Sequence, residues 1–152
     1  MQRWWPSARA LALVFLFAAF AVRPAQADGS VSSLRMGMGA RDAAAFQRFE
    51  EVIQRFNASG ERFRIDSHCQ SACTMFLSIR NVCVTPGATL LFHAGGNPRR
   101  NRINPASTQR MLSTYNATLQ KYVTDNRFMD TFDFHSISGR EIVSRFGYPA
   151  CR

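Results

Sequence analysis

Two short stretches of the sequence contain residue types that can carry out nucleophilic chemistry. Residues 69–74 (CQSACT) place Ser71 between two cysteines, and residues 92–96 (FHAGG) contain His93. A serine at the start of a helix that follows a strand is surrounded by N–H groups without an intrahelical acceptor, and such groups stabilise a developing oxyanion. A histidine at the end of a neighbouring strand can accept the hydroxyl proton. Each residue also has a structural interpretation, as a helix cap or as a hydrogen-bonded core residue.

The surrounding sequence predicts the elements that position these two residues. Residues 62–66 alternate in polarity as a strand does, and residues 71–79 begin with small side chains and continue with apolar ones, which indicates a buried helix. Residues 82–85 and 88–92 predict two short strands on either side of a Pro-Gly turn. The serine and the histidine are therefore each expected where a strand ends.

The other segments predict helices, one strand and two loops. Asp42 is an N-cap for an amphipathic helix that ends at Gly60 and whose apolar face carries Phe46, Phe49, Val52, Ile53 and Phe56. The remaining elements are a strand at 31–36, a flexible loop at 37–40, a polar loop at 93–105, a helix whose apolar face carries Leu112, Tyr115, Leu119, Tyr122 and Val123, and a closing helix from Ser138 to Gly147. Alternating strands and helices predict an α/β layer fold with a largely parallel sheet.

Residues 71–96 resemble the nucleophile-to-histidine segment of the Clp protease proteolytic subunit and its crotonase-like relatives. Three features carry the resemblance: Ser71-Ala72 opening a buried helix, a basic-residue/Cys/Pro strand at residues 80–86 (RNVCVTP), and a strand that ends in His-x-x-Gly at residues 91–96 (LFHAGG). Weaker similarity continues at residues 119–125 and 138–147.

The resemblance implies a fold and a set of site residues. The fold is α/β, a reduced Clp protease/crotonase-like core of ββα repeats, with a mostly parallel sheet flanked by helices in one domain at residues 28–152. The implied activity is that of a serine hydrolase or peptidase acting on amide or ester bonds, with no metal and no cofactor. The implied site residues are Ser71 as nucleophile, His93 as general base, Asp125 as the acid that orients it, and the Gly39 and Ala72 amides as oxyanion donors.

The chain also departs from that family. The glycines that usually surround the nucleophile are replaced by Cys69-Gln70, and the loop at residues 37–40 lacks the usual Pro-Gly-Gly. The stretch that follows the histidine is shorter, so the element used for ring assembly is affected and the oligomeric state stays open. These departures keep an alternative in place, a non-catalytic periplasmic binding or envelope-interaction protein that retains the scaffold. Asp130 and Asp133 also compete with Asp125 for the role of third member.

The N-terminal residues have the pattern of an export signal. Arg3 and Arg9 precede 13 uncharged residues at positions 10–22, and Ala25-Gln26-Ala27 is a small-x-small cleavage site. A membrane-spanning helix needs about 20 apolar residues, so we expect a signal peptide at residues 1–27, with an uncleaved anchor as the alternative. Cleavage removes 27 of the 152 residues and leaves 125, in the periplasm or secreted in a bacterial context, with no stable membrane span.

Composition and charge narrow the function classes. Apolar residues make up 46% of the chain and charged residues 19%, which excludes a disordered, collagen-like or multi-pass membrane protein. The exported part carries 16 basic and 10 acidic residues, a net charge of +6. Arg99, Arg100 and Arg102 form the one tight basic cluster, which fits a solvated loop or an acidic surface. Export argues against nucleic acid as a partner, and the expected substrate is a peptide or an acyl compound.

All four cysteines lie in the exported part, where an even count predicts disulfides. Three pairings are open. A bond between Cys83 and Cys151 would tie the C-terminus to the core, whereas Cys69 and Cys73, four residues apart, could pair only at a distorted helix start. Two further alternatives use the latter cysteines: a zinc site completed by His68, and a thiol redox pair.

Overall fold

The computed structural model describes Met1 and residues 29–152, so the signal-peptide prediction falls outside the described residues. The strands of this part, in chain order, are β1 Gly29–Ser30, β2 Phe63–Ile65, β3 His68–Gln70, β4 Val82–Val84, β5 Thr89–Phe92, β6 Gly96–Asn97, β7 Arg102–Ile103 and β8 His135–Ser138. The α-helices are α1 Val31–Leu34, α2 Ala43–Ser59, α3 Pro105–Leu112, α4 Ala117–Asp125 and α5 Gly139–Phe146. Two 3₁₀ helices span Ser71–Ser78 and Pro98–Arg100.

The strands of the described chain form two three-stranded sheets and a short hairpin. The first sheet has the order β1-β2-β4 and is parallel throughout. The second has the order β3-β5-β8, in which β3 and β5 are parallel and β8 is antiparallel to β5. The antiparallel hairpin consists of β6 and β7. The predicted α/β class and the largely parallel pairing are confirmed.

Two successive ββα units build most of this architecture. In each unit one strand belongs to the first sheet and the next strand belongs to the second sheet. The first unit is β2, β3 and the 3₁₀ helix Ser71–Ser78; the second is β4 and β5, followed along the chain by α3 and α4. Because β2 pairs with β4 and β3 pairs with β5, both in parallel, the carboxyl ends of β3 and β5 lie at the same end of the second sheet.

Helix α2 covers the first sheet with the aromatic face that its periodicity predicts. The Asp42 side chain accepts a hydrogen bond from the Ala45 N–H at 2.7 Å and caps the helix, which ends at Gly60 in the left-handed conformation. Phe49 and Phe56 are buried against the core, with Phe49 5.3 Å from the Phe76 ring centroid.

The predictions for two helical regions need correction. The strand predicted at residues 31–36 is instead the short helix α1 at Val31–Leu34, because Ser30 and Ser33 form a reciprocal capping box in which each side chain accepts the other's backbone N–H. The single helix predicted over Leu112–Val123 is two helices, α3 and α4. Asn116 separates them by capping α4, with its side chain accepting the Leu119 N–H at 2.9 Å.

Further local differences occur around the second sheet. The polar loop predicted at residues 93–105 contains the hairpin β6–β7 and the start of α3, and strand β8 was not predicted at all. Strand β8 pairs with β5 from Thr89↔Ser138 to Phe92↔His135. Its short sequence, His-Ser-Ile-Ser, has one apolar residue, so the periodicity alone does not identify it.

The expected disulfides are present, and of the three open pairings the structure has Cys69–Cys73 and Cys83–Cys151. The second holds the C-terminus beside β4, where the Cys151 N–H also donates to the Val84 carbonyl at 3.0 Å. Disulfides are compatible with an extracytoplasmic location. Among the described residues, none of the helices has the length and apolarity required to cross a bilayer.

Candidate functional site

Ser71 occupies the junction between β3 and the 3₁₀ helix that follows it, in an unusual backbone conformation. Its φ is +55°, in the left-handed region that residues other than glycine rarely adopt. Such a conformation costs about 1–3 kcal/mol and persists only where the surroundings enforce it. The Cys69–Cys73 disulfide spans the turn, with Cα atoms 5.2 Å apart, so the distorted helix start expected for this pairing is what the chain adopts.

The Ser71 hydroxyl has no structural role within the described chain. The residue at the N-cap position of the 3₁₀ helix is Gln70, and this helix has no side-chain cap. Ser71 itself is half-buried, and no hydrogen bond to its hydroxyl is found among residues 29–152. The interpretation of Ser71 as a helix cap therefore does not hold.

A buried pair of hydroxyl groups holds the Ser71 turn from below. The Thr74 hydroxyl donates to the Ser71 carbonyl oxygen at 2.7 Å, and the Tyr115 hydroxyl lies 2.6 Å from the same Thr74 oxygen. Since the Thr74 hydroxyl has one proton and gives it to Ser71, Tyr115 must be the donor to Thr74. Burial raises the pKa of Tyr115, which keeps it protonated for that role.

The loop at residues 37–39 is bound along the free edge of β3. The Gln70 N–H donates to the Gly37 carbonyl at 2.8 Å, and the Gln70 side-chain amide donates to the Met38 carbonyl at 3.0 Å. The next residue, Gly39, then lies against Ser71. A Cβ atom on Gly39 would be 2.7 Å from the Ser71 Cβ, and its φ is +73°, so the position requires glycine.

Two backbone amides next to Ser71 are candidates for oxyanion donors. No acceptor for the Gly39 N–H is found within residues 29–152. Ala72 is the second residue of the 3₁₀ helix, where amides have no intrahelical acceptor, and it is fully buried. Both residues adjoin Ser71, Gly39 across the turn and Ala72 along the chain, and their role as oxyanion donors stays a prediction.

His93 leaves the second sheet next to Ser71. Gln70 pairs with Leu91 in the parallel register of β3 and β5, so Ser71 is level with Phe92 and His93 follows one residue later at the same edge. Neighbouring strands lie about 4.8 Å apart, which puts the two candidates in adjacent rows. His93 therefore follows β5 at the same end of the second sheet where Ser71 follows β3.

The His93 imidazole is largely buried, and one of its ring nitrogens has no hydrogen-bond partner in the described chain. Its exposed fraction is 9%, and Nδ1 has no partner in the described part of the chain. Burial lowers the pKa of His93 below its usual value, so the ring is neutral at pH 7 and available as a base. An unpaired buried nitrogen costs free energy.

Aromatic rings from the segment before β8 enclose His93. The Phe134 ring lies edge-on at 4.9 Å between centroids, the Phe132 ring is at 6.3 Å, and the Ala94 N–H donates to the Thr131 carbonyl at 2.7 Å. Phe134 is nonetheless 53% exposed, so one of its faces is open to solvent beside the imidazole.

None of the three acids that compete for the third position is hydrogen-bonded to His93 in the described structure. Asp125 accepts from Lys121 at 2.8 Å, with its side chain 56% exposed, and Asp130 pairs with Arg127. The Asp133 carboxylate accepts from Thr131 at 3.2 Å. Gly39 thus lies against Ser71, and Ala72 follows Ser71 in the chain, whereas the roles expected for Ser71, His93 and Asp125 stay predictions.

The zinc alternative needs free thiolates, and the redox alternative needs a disulfide that a reductant can reach. Cys69 and Cys73 are joined to each other and have no exposed surface. His68, the third expected ligand, is hydrogen-bonded through Nε2 to the Gln70 side chain at 2.8 Å. No group of three or more His, Cys, Asp or Glu side chains suited to a metal ion occurs in the described range.

Three supporting residues were not singled out from the sequence. Gln70 positions the 37–39 loop, and Thr74 and Tyr115 hold the Ser71 turn. From the sequence alone, Gln70 differs from the family pattern next to the serine but has no indicated role. Tyr115 lies 41 residues from Thr74 and was assigned to a helix face, so no local signal connects the two.

Comparisons with protein-family models, with curated proteins and with solved structures give no match to this chain.

Proposed function

We propose that this protein is an exported serine hydrolase of the Clp protease/crotonase-like type, acting on amide or ester bonds in the periplasm or outside the cell. The observation that carries the proposal is the left-handed turn at Ser71, which leaves the hydroxyl unused and sets it against Gly39. The two ββα units and the two disulfides support the fold type and the location.

The proposed reaction uses four groups, namely the Ser71 hydroxyl, the His93 imidazole and the backbone amides of Gly39 and Ala72. The Ser71 oxygen attacks the substrate carbonyl carbon while its proton moves to the His93 imidazole. The carbonyl oxygen becomes an oxyanion that accepts hydrogen bonds from the Gly39 and Ala72 amides. When the tetrahedral intermediate collapses, His93 returns the proton to the departing amine or alcohol, and the acyl group stays on Ser71 as an ester.

The second half of the reaction uses the same groups. His93 removes a proton from a water molecule, whose oxygen attacks the acyl-serine carbonyl. The bond to the Ser71 oxygen then breaks, the serine recovers its proton from His93, and the carboxylic acid leaves. No residue beyond these four is required for the atoms to balance, and a carboxylate that orients His93 would add to the rate.

A second candidate is the non-catalytic scaffold, favoured by the observation that Nδ1 of His93 has no acid partner. A histidine without an orienting acid is a weaker base, and a protein that only binds would not need one. This candidate makes the opposite prediction for covalent chemistry at the serine.

Labelling with a fluorophosphonate tests the two candidates. The phosphonate should attach to Ser71 of the folded, oxidised protein at neutral pH, with the adduct located by peptide mass spectrometry. Ser71→Ala should abolish labelling and His93→Ala should slow it strongly, while Ser78→Ala, a change on the same 3₁₀ helix, should leave it unaltered. Thermal unfolding of each variant checks that the fold persists. Absence of labelling in the wild-type protein, or labelling that survives Ser71→Ala, would establish the scaffold instead.

A further inference from the structure

A groove with cationic walls begins at the oxyanion loop. It has a volume of about 470 Å³, within the range of small-molecule sites, and lies between residues 34–42 and the first turns of α2. We call it the arginine groove. The side chains that matter to its chemistry are Met36, Met38 and Phe49, which are apolar, and Arg35, Arg41 and Arg48, which are cationic. Because Gly39 lines it and also contacts Ser71, the groove starts at the candidate nucleophile.

The apolar part of the groove is open to a ligand. Met38 is 64% exposed and lines the groove. It stands directly before Gly39 in the chain. A substrate that reaches Ser71 therefore meets an apolar surface on the side of the oxyanion loop.

The charge of the groove is positive, with three arginines against one acid. The one acid that lines it, Asp42, already caps α2 through the Ala45 N–H. The ion pairs found in residues 29–152 use Arg110, Lys121, Arg127 and Arg145, so none of them involves an arginine of the groove. A guanidinium group is the side chain best suited to bind a carboxylate by paired hydrogen bonds.

From these features we infer that the arginine groove binds the acyl part of the substrate, and that this acyl group is an apolar chain that ends in a carboxylate. The inference rests on the proposed hydrolase, for which it names the substrate class. The chain contacts Met36 and Met38, the reacting carbonyl lies at Gly39 and Ser71, and the distal carboxylate is bound by Arg41 and Arg48. A neutral chain would leave the arginines without a partner, and a cationic chain would be repelled.

Matched esters test this substrate class. The mono-p-nitrophenyl esters of glutaric, adipic and suberic acid are compared with p-nitrophenyl esters of the neutral acids of the same carbon number. The wild-type protein should hydrolyse the half-esters with a kcat/KM roughly tenfold higher, the gain expected for one charge-assisted contact. Arg41→Gln and Arg48→Gln should reduce this ratio and the double variant should bring it close to one. Arg140→Gln, an exposed arginine on α5, should leave it unchanged.

A binding measurement separates the groove from the chemistry. Octanoate should bind the Ser71→Ala protein in calorimetry, octylammonium should not, and the additional double change Arg41→Gln/Arg48→Gln should remove octanoate binding. Hydrolysis with equal kcat/KM for both ester series, or a preference that survives the arginine variants, would overturn the groove while leaving the hydrolase standing. Octanoate binding without hydrolysis of any ester would refute the hydrolase and keep the anion site. Neither hydrolysis nor selective binding would refute both.

Discussion

The hydroxyl oxygens of Thr74 and Tyr115 lie 2.6 Å apart in the core, directly beneath the turn that carries Ser71. The Thr74 hydroxyl donates a hydrogen bond to the Ser71 carbonyl oxygen, and the Tyr115 ring contacts Phe92 edge-on at 5.4 Å between centroids. Phe92 is the residue before His93. One buried tyrosine therefore touches both the serine turn and the strand that delivers the histidine, so it acts as a positioning residue for the pair.

Tyr115→Phe should lower reactivity more than stability. The change keeps the ring but removes the donor to Thr74, which frees the Ser71 turn to relax; we expect fluorophosphonate labelling to slow by roughly tenfold or more, because small misplacements of a nucleophile are costly. The free energy of unfolding should fall by about 1–2 kcal/mol, the usual cost of a buried hydrogen bond. Labelling rates and denaturant titration measure the two effects.

Tyr148→Phe is the matched control for that change. The Tyr148 hydroxyl is also largely buried and accepts the Asn116 N–H at 2.8 Å, so its loss should cost similar stability. It contacts no residue of the Ser71 turn, and labelling should proceed at the wild-type rate. Equal slowing in both tyrosine variants would mean that Tyr115 acts only on stability.

Gly39→Ala and Gly60→Ala form a pair that isolates the oxyanion loop. Both glycines have a φ of +73°, so alanine should cost about 1 kcal/mol of backbone energy at either position. A Cβ on Gly60 meets nothing within 4 Å, whereas a Cβ on Gly39 would lie 2.7 Å from the Ser71 Cβ and 2.8 Å from the Gln70 carbonyl oxygen.

The labelling rate of Ser71 should therefore change in Gly39→Ala and stay the same in Gly60→Ala. We expect Gly39→Ala to slow labelling of Ser71 by about a hundredfold, because the loop or the serine must move by a substantial fraction of an ångström. Gly60→Ala should leave the labelling rate as in the wild type while lowering thermal stability by a similar amount. Normal labelling of Gly39→Ala would remove the 37–39 loop from the proposed mechanism.

The two disulfides should differ in what they support. In the chain-entropy description a bond gains stability with the length of the loop it closes, which gives about 4 kcal/mol for the 68-residue separation of Cys83–Cys151 and about 2 kcal/mol for the four-residue separation of Cys69–Cys73. Only the shorter one spans Ser71. We expect Cys69→Ala/Cys73→Ala to abolish most labelling with the smaller loss of stability.

The reciprocal variant completes this test. Cys83→Ala/Cys151→Ala should destabilise more, measured by denaturant titration at low temperature, yet label normally while folded. Loss of labelling in this second variant at a temperature where circular dichroism shows native structure would contradict the separation of roles.

The sequence predicts these features to different degrees, depending on how local their causes are. Helix α2 follows from periodic phenylalanines between Asp42 and Gly60, and the helix that starts at Ser71 follows from a run of small and then apolar residues. Strand β3, which precedes Ser71, has no such local signal. The proximity of Gly39 to Ser71 depends on hydrogen bonds between Gln70 and residues more than 30 positions away, which no local pattern reveals.

The errors have similar physical origins. Residues 31–34 became a helix because a two-serine capping box outweighed a weak alternation, and Asn116 divided a continuous apolar stripe by capping α4. The pairing of Thr74 with Tyr115 joins two elements 41 residues apart through side chains that fit an ordinary core equally well. The sequence thus predicts the two reacting groups, and tertiary packing determines what supports them.

The pH profile should report a histidine with a lowered pKa. Since burial lowers the pKa of His93, the base form predominates at pH 7, and the labelling rate should rise with pH to a plateau, with a midpoint below the ordinary value of 6.5. The free energy of unfolding should likewise rise with pH in this range. In the unfolded chain the histidine takes up a proton near pH 6.5, before the folded protein does, so the free energy of unfolding should fall as pH drops from 6.5 to the folded pKa.

His93→Gln is the control for this profile, since it removes the titrating group but keeps a polar side chain. The stability component between pH 6.5 and the lower midpoint should disappear in the variant, and residual labelling should lose its dependence on pH in that range. A wild-type midpoint above 6.5 would contradict the burial argument.

Three conservative substitutions, each Asp→Asn, test which carboxylate orients His93. The Asp125 carboxylate is held by Lys121 and largely exposed, so Asp125→Asn should leave the labelling rate close to the wild type even though the family resemblance assigns it to the histidine. Asp130 is likewise paired with Arg127, whereas Asp133 lies in the segment whose rings at Phe132 and Phe134 enclose His93. Of the three, Asp133→Asn should therefore slow labelling most.

The magnitude of the slowing decides between two forms of the site. An acid that fixes the tautomer of a catalytic histidine is worth up to about ten-thousandfold in rate, whereas a carboxylate acting only at a distance changes the rate little. A large loss in Asp125→Asn would show that its carboxylate turns from Lys121 to His93 when substrate binds, and would assign it as the orienting acid. Small effects in all three variants would define a serine–histidine pair that works without one, consistent with the unpaired Nδ1 of His93.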